Sequence, residues 1–326
     1  MRTPSLGEVS RRAETLRPYG VAPLVVVVGP TAVGKTELAV RLAEAVGGEI
    51  VSADSRQVYR GMDVGTAKAT AEERSRVPHH LLDLIDPDQP LGLAQFQALA
   101  YATIDGILTR HRIPFLTGGT GQYVMAVVEG WQVPIVPPDD ALRDALYRQA
   151  EEEGGEALYA RLQALDPAAA RKIDPRNVRR VIRALEVCLT TGRPISEQRG
   201  KSPPPYQTLM IGLTLPRSEL YRRIDERVEA MIAHGLEDEV RRLVTEGYGF
   251  DLPAMSGVGY GQFAPYLAGQ ATLEEVAHSI KRATRRFVRQ QGNWFRLEDP
   301  RIHWLDAGED PFPEAMELVT GLLGRR

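Results

Sequence analysis

The sequence predicts an α/β protein: a mostly parallel, doubly wound sheet interrupted by an inserted all-helical subdomain. Three observations carry that prediction. Short apolar runs alternate with helical patterns, the order that builds parallel strands joined by crossover helices. A glycine-rich loop follows the first of those runs. Between two proline-rich stretches, residues 133–138 and 203–205, only helical periodicity is found.

Taken in order, residues 24–28 form a continuous apolar run of strand length. A helical pattern then places Leu38, Ala39, Leu42, Ala43 and Val46 on one face, and Gly47 and Gly48 stop it. Residues 49–53 read as a second strand ending at Asp54, residues 113–117 as a third, and residues 209–215 as a fourth. Helical patterns at 141–152, 156–165 and 177–190 fill the stretch between the prolines. Residues 218–304 read as mainly helical. The expected division is an N-terminal extension (1–20), a core (21–132 and 207–326) and a helical insertion (133–206).

Composition narrows the function. The 326-residue chain has a net charge of −3, yet residues 171–201 hold nine Lys or Arg against three acids, and residues 281–296 hold six with no acid. Local patches of this kind suit a polyanion whatever the global sum. No apolar run approaches the ~20 residues that span a bilayer, so no membrane partner is expected. The first twenty residues lack the apolar segment of a secretory signal, and a cytoplasmic location is expected. Cys188, the one cysteine, sits among apolar neighbours and reads as a buried structural thiol. His79 and His80 lack ligand spacing to any His, Cys or acid cluster and read as structural.

Gly29, Pro30, Thr31, Ala32, Val33, Gly34, Lys35 and Thr36 match G-x-x-x-x-G-K-[ST] between a strand and a helix, the context that the P-loop motif requires. Backbone N–H groups of such a loop wrap a phosphate, and the helix N-terminus adds positive potential. Lys35 would reach a terminal phosphate and Thr36 would offer a hydroxyl to Mg²⁺. The motif is silent on what carries the phosphates: ATP, GTP and an allylic diphosphate all present a diphosphate.

Asp54, at the end of the second strand, has two readings: a carboxylate of a magnesium shell or a helix cap, and a base facing the same crevice as the P-loop. Thr120 lies in the glycine-rich turn Gly118-Gly119-Thr120-Gly121, where its hydroxyl can meet a leaving group or nucleophile. Arg179 and Arg183 share one face of a helix whose other face carries Val178, Ile182 and Leu185. Arg282, Arg285, Arg286 and Arg289 repeat this logic on a second helix, with Ile280, Phe287 and Val288 toward the core. Trp294 and Phe295, which follow, read as core aromatics.

These blocks together resemble the tRNA dimethylallyltransferase family, whose members have a P-loop NTPase-like fold. The resemblance rests on GPTAVGKT (29–36), DSRQVYRGMDVGTAK (54–68), PHHLLD (78–83), GGTGQY (118–123), DPRNVRRVIRALEV (174–187), SGVGYGQ (256–262) and RQQGNWFR (289–296), in the family's order over most of residues 24–305. The chain departs from the pattern at Gln122, where Leu is usual, and at Gly261 and Gln290, where a basic residue is usual. The resemblance implies transfer of a dimethylallyl group from dimethylallyl diphosphate to N6 of the adenosine 3′ of the anticodon. The partner would be the tRNA anticodon stem-loop, the cofactor Mg²⁺, and the enzyme a monomer.

It further implies that the P-loop holds the diphosphate and that Asp54 accepts from N6. Ser55, Arg56 and Gln57 would touch tRNA, as would Arg179, Arg180, Val181, Ile182 and Arg183, while Thr120 and Arg143 would line the reaction channel. The competing expectation is a P-loop isopentenyltransferase or kinase acting on free adenine nucleotides. A GTPase-type switch is disfavoured because no N-K-x-D guanine signature occurs.

Overall fold

A computed structural model describes residues 22–134 and 136–324 of the chain; the expected N-terminal extension, 1–20, lies outside the described residues. The chain forms two compact units. Among the described residues, one combines those up to Val128 with those from Pro204 onward, and the other lies within Glu129–Pro203.

The first unit is built on six parallel strands among the described residues. They are β1 (Ala22–Val28), β2 (Gly48–Ser52), β3 (His79–His80), β4 (Ile113–Thr117), β5 (Tyr206–Thr214) and β6 (Ile302–Asp306), in spatial order β3-β2-β4-β1-β5-β6. All seven residues of β1 are buried, as a central parallel strand covered on both faces requires. Helix α1 (Lys35–Val46) leaves β1 and crosses to β2, and β4 later enters between them. The chain thus runs to one side of β1 first and to the other afterwards, through β5 and β6. That reversal opens a crevice at the carboxyl ends of β1 and β4, where open α/β sheets bind ligands.

Helices α2 (Leu93–Thr109), α3 (Gly121–Val128), α7 (Arg217–Ala233), α8 (Leu236–Thr245), α9 (Leu273–Gln291) and α10 (Phe312–Gly324) belong to this unit. Val25, Val27, Leu38, Leu42, Phe115, Ile211, Ile224 and Val319 share one apolar core that ties α1, α7 and α10 to the sheet. A second cluster joins Met62, Val240, Tyr260, Phe263 and Ile280.

Two strands were not expected from the pattern. β3 is two half-buried histidines, too short and polar for a periodic signal, and β6 is an edge strand in which Ile302 and Leu305 are buried while His303 and Asp306 are exposed. Phe287, expected in the core, is exposed; α9 turns Val276, Ile280, Thr284 and Val288 inward instead.

The second unit packs α4 (Asp140–Glu152), α5 (Gly155–Leu165) and α6 (Val178–Thr191) around Leu146, Leu158, Leu162, Val181, Ile182 and Leu185. Where its chain enters and leaves, Trp131–Gln132 pairs with Gly200–Lys201 in a short antiparallel ladder. Cys188 is buried in this core, which pushes its thiol pKa up.

Candidate active site

At the end of β1 the chain must turn sharply into α1. Gly34 caps the helix in the left-handed region (φ 105°), and Ala32 also has positive φ (68°), so the loop curls around its own amides. Lys35 and Thr36 open the helix from that curl. Lys35 Nζ donates to the Pro30 carbonyl at 2.7 Å, folding the side chain back over the loop.

At the ends of β2 and β4 two further loops interlock. A Cβ on Gly118 would lie 2.2 Å from the Ala53 carbonyl oxygen, so only glycine permits this approach. Thr120 N–H donates to that same carbonyl at 3.3 Å, and Thr120 Oγ1 accepts the Ser55 N–H at 3.0 Å. Asp54, held between these two contacts, accepts the Arg56 N–H on Oδ1 at 2.8 Å. Its loop continues to Lys68 and is anchored from below. Glu239 accepts the N–H groups of Asp63, Val64 and Gly65 at 2.8–3.0 Å, and the Tyr260 hydroxyl at 2.7 Å. The 54–68 and 256–262 blocks, far apart in sequence, therefore meet in one packed support.

These loops enclose one cavity. Its phosphate-loop side is Thr31, Lys35 and Thr36; Asp54, Gly118 and Gly119 stand beside them, and Arg227 of α7 faces the same space. Ile50, Ser52, Gln57, Ala67, His79 and Thr117 also line it. Burial pushes the Lys35 ammonium down to about 7; Arg227 adds repulsion and Asp54 partly offsets it. Burial also lowers the Arg227 pKa, again partly offset by Asp54. Two cations and one carboxylate thus face one partly enclosed cavity, where each interaction exceeds its value in bulk solvent.

Of the residues expected to form a site, Lys35, Thr36 and Asp54 are brought together in this cavity, and Thr120 latches the loop on which Asp54 stands. Arg56 directs its guanidinium to the Pro253 carbonyl at 2.6 Å. Gln57 accepts from Ser52 Oγ at 2.9 Å and donates to the Thr66 and Ala67 carbonyls. Both side chains are engaged within the protein.

Arg143 and residues 179–183 lie in the second unit. Arg143 and Arg183 both pair with the fully buried Glu186, Arg143 Nε at 2.8 Å and Arg183 Nη1 at 2.5 Å. Val181 and Ile182 are core residues, so within this run Arg179, Arg180 and Arg183 alone have side chains that reach solvent.

Sequence reasoning missed Arg227 and did not place His79 at the site. Leu220, Ile224 and Val228 recur every fourth residue on the buried face of α7, and Arg227 flanks that stripe. A charge beside an apolar stripe is the one sign available. His79 was read as structural, yet it stands in the cavity wall. It shares a 2.8 Å hydrogen bond with the Val77 carbonyl through Nδ1. Its Nε2 and the Thr117 hydroxyl are buried without a hydrogen-bond partner among the described residues.

For a divalent cation the donor set is sparse. Among the described residues no three His, Cys, Asp or Glu side chains cluster as ligands. The cavity offers the Thr36 hydroxyl and the Asp54 carboxylate, hard oxygens that suit Mg²⁺ when a phosphate substrate supplies most of the shell.

A family model described as IPP transferase matches residues 57–298, and one described as isopentenyl transferase matches residues 22–83. A Roseiflexus protein named tRNA dimethylallyltransferase is 60% identical over 84% of this chain and 90% of its own length. One of the same name from Dehalococcoides mccartyi is 48% identical over 93% of each. Among solved structures, the tRNA isopentenylpyrophosphate transferase of Bacillus halodurans is 43% identical, covers 93% of this chain and 97% of its own, and superposes with a TM-score of 0.69. A eukaryotic dimethylallyltransferase described as acting on tRNA superposes with a TM-score of 0.81 at 26% identity, over 93% of this chain and 80% of its own.

Proposed function

The chain belongs to the IPP transferase family, and from that premise we propose that it transfers a dimethylallyl group from dimethylallyl diphosphate to N6 of the adenosine 3′ of the anticodon in tRNA. The observation that carries this reading is the shared cavity of Lys35, Arg227 and Asp54: two cations for a leaving diphosphate beside one acceptor for a proton.

An adenine amine is a weak nucleophile because its lone pair is delocalised into the ring. The N6 lone pair attacks C1 of the allylic chain, the C1–O bond breaks, and its electron pair leaves on the diphosphate. One N6 proton passes to the Asp54 carboxylate. Lys35, Arg227 and the P-loop amides stabilise the charge that grows on the departing oxygen, and each preorganised donor of this kind contributes about 10²–10³-fold. Asp54 orients N6 and accepts its proton, worth roughly 10²–10⁴-fold. Thr120 keeps the Asp54 loop in register through Ser55.

Thr36 would hold Mg²⁺, which when bound would neutralise part of the diphosphate charge. The target base must leave its stack, at a cost of a few kcal/mol that is smallest in a loop already partly unstacked. Arg179 and Arg180 supply phosphate contacts for the RNA.

The test is direct. Full-length protein, Mg²⁺ and labelled dimethylallyl diphosphate are mixed with tRNA, with AMP, or with neither. Label is expected in tRNA alone. Label in AMP alone would make the chain a free-nucleotide enzyme.

A further inference from the structure

At the C-terminal end of α9, after five basic residues between 281 and 289, the chain places an uncharged amide, Gln291. The residue is 4% exposed. Its Oε1 accepts the Thr31 N–H at 2.9 Å, and its Nε2 donates to the Gly119 carbonyl at 2.9 Å. Thr31 belongs to the P-loop; Gly119 belongs to the turn that carries Thr120.

A side chain that accepts from one backbone group and donates to another through two separate atoms is an amide or a neutral imidazole; a hydroxyl does both through one oxygen. A carboxylate only accepts, and Lys or Arg only donates. The fit is close. A Cβ on Gly119 would lie 2.5 Å from Gln291 Nε2 and 3.9 Å from Lys35 Nζ. Three residues further on, Trp294 covers Gly121, where a Cβ would meet the indole Cγ at 2.2 Å. The same turn is therefore clasped twice from the end of α9.

We propose that Gln291 is a positioning residue for the transfer reaction, setting the spacing between the diphosphate cradle and the loop that presents Asp54. The inference rests on the proposed roles of the cradle and Asp54. From Thr31 the bridge runs through Gln291 to Gly119. Thr120 then holds Ala53 and Ser55, the residues on either side of Asp54. Nucleophilic displacement needs the acceptor, the carbon and the leaving oxygen in fixed register, and a misplacement of ~1 Å can cost about 10²-fold in rate. Gln291 touches neither the reacting carbon nor N6 in this scheme; it acts through the backbone of two loops.

The experiment compares Gln291→Met and Gln291→Glu with wild type in the full-length protein. Hydrogen–deuterium exchange is followed in segments 29–36 and 118–122, with β5 as reference. Steady-state kcat and KM are measured with dimethylallyl diphosphate and an anticodon stem-loop. Gln291→Met, which has neither donor nor acceptor, is expected to speed exchange in both segments. Gln291→Glu keeps the acceptor for Thr31 and is expected to speed exchange in 118–122 alone.

In both variants kcat is expected to fall about 10–100-fold, with KM for the diphosphate within about threefold. Four results would overturn the proposal: unchanged exchange in both segments, kcat within twofold of wild type, KM rising as far as kcat falls, or loosening that extends equally to β5. If Gln291→Met melts, Gln291→Glu, nearly isosteric with glutamine, decides. A wild type that modifies no RNA sinks the functional reading alone, because the exchange pattern still decides whether Gln291 bridges the two loops.

Discussion

Lys35 and Arg227 face one cavity, where burial in the first place and their mutual repulsion in the second bring the Lys35 ammonium down to about 7. A diphosphate bound in the proposed cradle would reverse that balance by placing negative charge beside the amine. Binding should therefore be coupled to uptake of a proton. Free Lys35 is half neutral near pH 7 and mostly neutral at pH 8.5, while the complex needs it charged. By linkage, affinity falls as pH rises above about 7, by up to tenfold per pH unit.

Calorimetric titration of dimethylallyl diphosphate without tRNA, between pH 7 and 9 in two buffers of different ionisation enthalpy, measures both effects. Lys35→Gln should weaken binding at pH 7 and flatten the slope. A wild-type affinity that stays level across this range would remove Lys35 from the cradle.

Asp54 is held by an interaction that its amide analogue keeps. The Arg56 N–H donates to Asp54 Oδ1, and asparagine offers the same acceptor. Asp54→Asn should therefore preserve the loop while abolishing proton acceptance. We expect kcat lower by roughly 10²–10⁴-fold, with the dissociation constant for tRNA within a few fold of wild type. Single-turnover assays with a binding isotherm separate the two. Wild-type kcat would strip Asp54 of its role.

The contrast between Lys35 and Arg227 shows what can be read from the chain. Lys35 is fixed by a local motif: β1, the curl at Ala32 and Gly34, and α1 follow one another between Ala22 and Val46, so strand, loop and helix are legible together. Asp54 is legible because it closes a strand parallel to β1. Arg227 reaches the same cavity through the packing of α7 on the sheet, which no local pattern encodes, and Arg223 on the same flank bonds the Ala307 carbonyl instead. Gln291 is hidden for the same reason: its partners lie 172 and 260 residues away. The edge strands β3 and β6 were missed because one is too short for a period and the other, five residues long, buries Ile302 and Leu305 without a two-residue alternation.

Glu186 gives a stability prediction. It is fully buried and accepts from Arg143, Arg183 and the Asp139 N–H. These donors and two cations hold its carboxyl below the usual carboxylate range despite burial. Glu186→Gln keeps the volume but removes the charge that two guanidinium groups share. Losing one partner of a buried pair costs about 3–5 kcal/mol, and the lower end is expected here because Arg143 and Arg183 are about a third exposed. Urea unfolding followed in the second unit measures this, and a loss under ~1 kcal/mol would mean the cluster is held by something else.

Within α6 the same geometry separates arginines by task. Arg183 is pinned to Glu186 and to the Val136 carbonyl, whereas Arg179 and Arg180 are exposed on the opposite side of the helix from the core residues Val181 and Ile182. Exposed cations that meet RNA phosphates release counterions, and each such contact on a single strand adds about 0.7 to the slope of log affinity against log salt. Replacing Arg179 and Arg180 by Gln should weaken tRNA binding at low salt and make the slope shallower by about 1.4. Turnover at saturating tRNA should hold, because neither residue lines the cavity of Lys35 and Asp54. Filter binding between 50 and 200 mM salt tests the slope. Arg183→Gln should alter the slope less and the stability more, and the reverse order would mean that the Glu186 pair opens when RNA binds.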